Sequence, residues 1–145
     1  MNNNQRYNQT AIKEFRKELS AMFEDITEID VKVLNRAVNE GVKVAKENTN
    51  VGQYPAGKVG GFMRKSWRST PTVKSKGGGV SKTIVNNADY SSFVNYGHRI
   101  VNSAGETVGF VKGQFMLEKA VARVDKALVR EFRKEVERVN REHDK

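Results

Sequence analysis

The chain has no cysteine, only two prolines and only two histidines in 145 residues. Without cysteine there is no disulfide framework, no thiolate metal site and no cysteine nucleophile. With only His98 and His143, a zinc site built from histidine is not expected. No run of about 18 apolar residues occurs, which argues against a membrane-spanning helix. The opening stretch MNNNQRYNQT is polar throughout and has no leader-peptide pattern. Aromatic residues make up only 8% of the chain. What is present in excess is positive charge: 26 Lys and Arg against 17 Asp and Glu, a net +9. A chain of this length usually forms one domain that buries about 68–70% of its unfolded surface without help from metals or disulfides.

The charge is concentrated. Residues 1–50 are balanced, with 8 basic and 8 acidic side chains, whereas residues 51–113 carry 9 basic and 2 acidic ones. A one-signed field of this kind points to a polyanionic or acidic partner.

Residues 1–9, rich in Asn and Gln, are expected to be a disordered tail, and residues 10–145 a single α+β domain. Ile12, Phe15, Leu19, Met22, Phe23 and Ile26 recur at helical spacing and predict a helix over 10–25. Asp30 is a candidate N-cap for a second helix running to Glu47, with Val31, Leu34, Ala37, Val38, Val42 and Ala45 on its apolar face. Gly41 inside that helix costs about 1 kcal/mol against Ala, which signals close packing or a bend. Residues 48–62 hold four glycines and one proline in 15 positions and predict a long loop. Met63–Val73 and Val80–Asn86 read as the strands of a hairpin whose Gly77-Gly78-Gly79 tip tolerates positive φ. Residues 89–96 read as a short helix closed by Gly97, followed by a polar turn and a strand over Thr107–Val111. Leu117, Val121, Val124, Leu128, Phe132, Val136 and Val139 predict a long amphipathic helix from Gln114 to Asn140. The fold class is therefore α+β, a small antiparallel sheet flanked by two N-terminal helices and one long C-terminal helix.

Few constellations offer chemistry. Gly52-Gln53-Tyr54-Pro55-Ala56-Gly57-Lys58 has phosphate-loop spacing, but Val59 replaces the hydroxyl that would ligate magnesium, and no strand precedes it. His98 lacks an orienting acid and a nucleophile that spacing would assign to it, and it reads as a structural or interface histidine. The acids of the last helix, Glu131 and Glu135 with Arg138, read as exposed ion pairs of the i,i+3/i+4 type, as does Glu14 with Lys17. No catalytic set emerges, no cofactor is implied, and an enzyme is not expected. The remaining signal is basic: Arg64, Lys65, Trp67, Arg68, Lys74, Lys76 and Lys82, flanked by Tyr54 and Tyr90. It is open to three readings, a nucleic-acid backbone track, a docking rim for an acidic protein, or a solvated β surface.

The order of short blocks carries more. A helix ending in Ala45-Lys46-Glu47-Asn48 leads to Gly60-Gly61-Phe62-Met63-Arg64-Lys65-Ser66-Trp67. Ile84-Val85-Asn86-Asn87 and Asp89-Tyr90-Ser91-Ser92-Phe93-Val94-Asn95-Tyr96-Gly97-His98-Arg99 follow, and Phe115-Met116-Leu117 opens the last helix. Over residues 28–125 this resembles the phage neck family founded on the tenth gene product of a lambdoid coliphage. Asn95 stands where that family prefers Glu. The resemblance implies a structural virion protein of a long-tailed phage or prophage, a head–tail joining or tail-completion subunit without enzymatic activity. It implies a ring, a hexamer, assembled in the host cytoplasm and resident in the virion neck. The partners implied are further copies of the chain, a connector or head-completion protein, and a tail-tube or tail-terminator protein. DNA in the channel is a secondary contact, and no membrane is involved. The interaction surface expected from residues and resemblance together is Lys58, Arg64, Lys65, Trp67, Arg68, Lys74, Lys76, Lys82, Tyr96, His98 and Arg99. The alternative is a small basic nucleic-acid-binding protein.

Overall fold

A computed structural model describes residues 3–52, 57 and 59–143 of the chain. Its architecture is α+β: a long N-terminal helix α1 (Asn3–Glu47), a helical turn α2 (Phe62–Lys65), strands β1 (Trp67–Ser69), β2 (Val73–Lys74), β3 (Val80–Ser81) and β4 (Ile84–Asn86), a short helix α3 (Ser91–Tyr96), strands β5 (Gly97–Val101) and β6 (Thr107–Lys112), and a long C-terminal helix α4 (Met116–His143). All strand pairing is antiparallel, in three two-stranded ladders, β1–β4, β2–β3 and β5–β6.

The two predicted N-terminal helices are one. No Gly or Pro interrupts residues 25–31, and two side chains that can leave a helix are turned back onto it. The Ser20 hydroxyl donates to the Arg16 carbonyl at 2.8 Å and the Thr27 hydroxyl to the Phe23 carbonyl at 2.9 Å. Bonded to their own i−4 carbonyls, these hydroxyls offer the backbone no alternative turn, and Asp30 lies mid-helix instead of capping one. Helix α1 begins at Asn3, within the segment whose polar composition suggested a tail.

Helices α1 and α4 pack side by side and antiparallel, Arg36 meeting Glu135 and Glu40 meeting Arg123. Their seam is made of small residues, with Ala37, Gly41 and Ala45 on α1 facing Ala120, Val124 and Ala127 on α4. A methyl at Gly41 would overlap Val124 Cγ2 and lie 3.1 Å from Ile84 Cδ1 and 3.2 Å from the Ala120 carbonyl. Gly41 is thus a close-packing glycine. This choice of seam displaces the predicted apolar face of α4. The buried positions are Met116, Ala120, Ala127, Glu131 and Glu135, whereas Val121, Phe132 and Val136 are exposed. Small side chains let the helix axes approach, and the large apolar residues are left to one side of the contact.

The remaining core lies where α1, α2, β1 and the start of α4 meet: Ala45, Met63, Trp67, Ala88, Met116 and Ala120, with Val42, Ile84, Val94 and Leu117 packed against them. The hairpin over 67–86 exists, but with two departures. Met63–Lys65, read as the beginning of a strand, form with Phe62 a helical turn entered through Gly61 at φ 92°. Pro71, which has no N–H to give, splits the ladder into two pieces. Across the gap the Thr70 N–H donates to the Thr83 carbonyl at 2.8 Å, and the Thr83 N–H donates to the Thr70 hydroxyl at 3.0 Å. The tip is closed by the Ser75 N–H on the Gly79 carbonyl.

Candidate assembly surfaces

Residues that looked like surface in the sequence turn out to fix the body, beginning with Thr49 and Trp67. Just past the end of α1, Thr49 is fully buried. Its hydroxyl donates to the Ala45 carbonyl at 2.7 Å and accepts the Trp67 indole N–H at 2.7 Å, with Met116 Sδ 3.1 Å away. Arg64 Nε donates to the Thr49 carbonyl at 2.8 Å. One residue thereby ties the helix exit to α2, β1 and the start of α4. Trp67, expected on an interaction surface, is a core residue only 4% exposed, and Arg64 is held to the body through its Nε. Lys82 is engaged as well: its ammonium donates to Asn35 Oδ1 at 2.9 Å, beside the Thr72 hydroxyl at 2.8 Å, and so fastens the hairpin to α1.

Asn95 is a second such point. It is buried, its Oδ1 accepts the Leu117 N–H at 3.0 Å, and its carbonyl accepts the Phe115 N–H at 3.0 Å. Its Nδ2 donates to both Glu118 carboxylate oxygens, at 2.9 and 3.2 Å. A first-turn N–H of α4 is thus capped from outside the helix. An amide serves here where the resemblance prefers an acid, because a glutamate would face the Glu118 carboxylate. At the same place Gly97 and Gly113 cross: a Cβ on Gly97 would come within 2.8 Å of the Gly113 nitrogen.

A third group lines the α1–α4 seam. Glu131 and Glu135, read as exposed surface pairs, are buried. Both face Arg36 from α1, at 3.5 and 3.1 Å. Glu131 also bonds Arg130 and Lys134 at 3.1 Å each, and Glu135 bonds Arg138 at 2.9 Å. Glu40 pairs with Arg123 at 2.9 Å and with Arg130. The hydrogen bond from Lys134 to Glu131, that from Arg138 to Glu135 and that from Arg123 to Glu40 each hold the carboxyl below its ordinary pKa. The pairs were visible as i,i+3 spacings. Their burial was not, since it depends on the rotation of α4 that the small seam imposes.

What remains free on the outside divides by chemistry. Of the basic residues expected on the interaction surface, Arg64, Lys65, Arg68, Lys74, Lys76 and Arg99 are exposed, with Arg64 tied to Thr49 and Arg68 reaching Asn87 Oδ1 at 3.3 Å. Lys58 and Tyr54 lie outside the described residues. Tyr96 is exposed, and His98 sits at the base of the β5–β6 ribbon, edge-on to Phe93 with ring centroids 6.3 Å apart. That ribbon pairs His98 with Val111, Arg99 with Phe110 and Ile100 with Gly109. Both of its faces meet solvent: Val108 and Phe110 are 63% and 69% exposed, and Ile100 and Val111 are exposed on the other side. Two-stranded ribbons are marginal in water, and exposed apolar area of this kind marks a contact surface. The sequence named His98 and Arg99 as surface and Thr107–Val111 as a strand, but not strand β5 or the apolar residues that the ribbon exposes. A further apolar groove lies between α1, β3 and α4, lined by Val33, Leu34, Val80, Leu128, Val129 and Phe132.

Among the described residues no cluster of three or more His, Cys, Asp or Glu is arranged to hold a metal. No helix among them is long and apolar enough to cross a membrane. No curated protein and no solved structure matches the chain. A family model does: that described as "Bacteriophage HK97-gp10, putative tail-component" matches residues 13–97. The match takes in most of α1, the hairpin and α3, and ends at the residue where the β5–β6 ribbon begins. Spanning more than half of the sequence, it places the chain in the HK97-gp10-like family of bacteriophage tail components.

Proposed function

We propose that this tail component is a neck or tail-completion subunit, a structural virion protein whose copies form a ring that joins the head connector to the tail tube. The observation that carries the reading, beside family membership, is the amount of large apolar side chain left uncovered by the subunit itself. It lies on α1, on the β5–β6 ribbon and along α4. A monomer in isolation rarely leaves so much apolar surface in contiguous patches, and neighbours are the ordinary way to cover it. The exposed lysines and arginines of the hairpin fit a role at the rim, docking on an acidic protein face or facing DNA in the channel.

The test is charge reversal at Lys65, Arg68, Lys74 and Lys76. Arg64, Trp67 and Lys82 are left intact because they hold the body together. The reversed protein folds with wild-type thermal stability, and an infection or induced prophage carrying it yields separate full heads and finished tails. Joined particles at wild-type yield would overturn the docking role of this surface. A purified protein that instead retains DNA, with affinity falling by orders of magnitude between about 50 and 200 mM salt, would favour a nucleic-acid-binding protein.

A further inference from the structure

The N-terminal half of α1 projects beyond the rest of the subunit. Helix α1 has 45 residues and α4 has 28, about 68 and 42 Å at 1.5 Å per residue. Because the two run antiparallel, with Gly41 against Val124 and Arg36 reaching Glu131 and Glu135, α4 ends near the level of residues 22–26, and α1 continues past it. The projecting arm is not polar all round. Ile12, Leu19 and Ile26 fall seven residues apart, as do Phe15 and Met22, with Phe23 beside them. They continue the line that Val33, Ala37 and Gly41 follow into the α4 seam. All six residues of the stripe, those level with the end of α4 included, are between 40% and 63% exposed. At 150–250 Å² for a large side chain, the stripe offers on the order of 600 Å².

The two edges of this stripe carry opposite charge. At 100° per residue, Glu14, Glu18 and Asp25 lie along one side of it, with Glu28 beyond them. Lys13 and Arg16 lie along the other, with Lys17 further round, and Glu24 is the one acid on that side. Two arms that face each other antiparallel bring acidic edge to acidic edge and basic edge to basic edge. Two or more parallel arms, related by rotation about an axis along the arm, bring the acidic edge of each to the basic edge of the next. In register, Lys13 and Arg16 of one arm then meet Glu14 and Glu18 of its neighbour.

We infer that the partner of this stripe is the same arm of other copies of the chain, associated in parallel about a common axis, with the opposed edges selecting that orientation. The inference rests on the ring reading above and names the surface that would close it. Seven-residue spacing with charged flanks is the pattern by which helices of separate chains pair and choose their orientation.

The experiment uses the full chain and sedimentation velocity. Wild-type protein sediments as an oligomer. Glu14→Lys with Glu18→Lys makes both edges basic, and Lys13→Glu with Arg16→Glu makes both acidic. Each variant alone sediments as a monomer, and an equimolar mixture recovers the oligomer. Circular dichroism and thermal unfolding stay at wild-type values, since the arm residues lie outside the packed body. The orientation is read separately. The chain has no cysteine, so Met22→Cys introduces a single thiol, and parallel arms give a disulfide-linked dimer on mild oxidation. Any of these outcomes overturns the inference: wild-type protein that stays monomeric up to its solubility limit, single-edge variants that sediment like wild type, a mixture that stays monomeric, or Met22→Cys that does not cross-link in the oligomer. Loss of association in Phe132→Lys with intact arms would seat the arm in a neighbour's α1–α4 groove and equally overturn it. The ring reading fails differently. Variants that no longer associate but still give joined particles refute the ring's part in joining, while the arm contact stands.

Discussion

Replacing Thr49 by Val removes one hydroxyl and keeps the shape of the side chain. In the folded protein that hydroxyl is fully buried, gives its proton to the Ala45 carbonyl and takes the one from the Trp67 indole. Valine leaves the indole N–H buried beside a methyl group. A buried donor stripped of its partner costs about 1–3 kcal/mol, and the second lost bond adds about 1 kcal/mol. The expected loss is thus about 2–4 kcal/mol, a large share of the roughly 5–15 kcal/mol that holds a typical domain together. Trp67→Phe alone removes the donor but also leaves a gap, so its cost mixes two effects. The double variant separates them. Once the indole N–H is gone, valine at 49 leaves no stranded donor, and Thr49→Val costs at least about 1 kcal/mol less in the Trp67→Phe background. Trp67 is the only tryptophan, so urea titration of the first variant can follow its fluorescence, with circular dichroism used wherever it is absent. A Thr49→Val protein within about 0.5 kcal/mol of wild type, the range of an inert surface change, would refute the role assigned to this hydroxyl.

Gly41→Ala is expected to destabilise, although alanine is the better helix former by about 1 kcal/mol, because the overlap with Val124 and the tight approach to the Ala120 carbonyl bring an overpacking cost of about 1–3 kcal/mol. A rise in the urea midpoint would show that the helices can separate there at no cost. Acid should weaken the α1–α4 seam. Glu40, Glu131 and Glu135 have folded pKa values below their unfolded ones, so their contribution is complete above the ordinary carboxylate pKa of about 4.3 and is lost as pH falls through the lower folded values. Urea midpoints measured from pH 7 down to pH 3 check this. Glu135→Gln lowers the midpoint at pH 7 and flattens the acid decline, and an unchanged decline would refute the assignment.

The fold class and most element positions were legible in the sequence because periodicity and turn residues report local structure directly. The α3 helix ending at Gly97 and the strand beginning at Thr107 are such cases, and so is the long C-terminal helix. What was not legible depends on how elements meet. Asp30 has the chemistry of a cap, but a cap forms only where the preceding residues leave the helix, and Ser20 and Thr27 instead bond back onto it. The valines and phenylalanine of α4 have the right spacing for a core, yet Ala37, Gly41 and Ala45 draw the alanine face of α4 inward and leave Phe132 outside. Trp67 and Arg64 stand in a basic run and so read as surface. Only Thr49, 18 residues upstream of Trp67, reveals that the indole belongs to the interior and that Arg64, though exposed, is tied to the body. Even the two buried carboxylates at 131 and 135 have the sequence appearance of a solvated helix.

The crossing of Gly97 and Gly113 bears on how such a protein can change over time. The ribbon leaves and re-enters the body at a single point, so its length and side chains can be altered without moving the ends that α3 and α4 require. Insertions into exposed segments with fixed ends cost little, since closure entropy grows only with the logarithm of length. The ribbon is thus an exchangeable cassette. A lineage can rewrite what it touches while the two glycines at its root, and Asn95 beside them, keep the subunit's own fold out of the exchange.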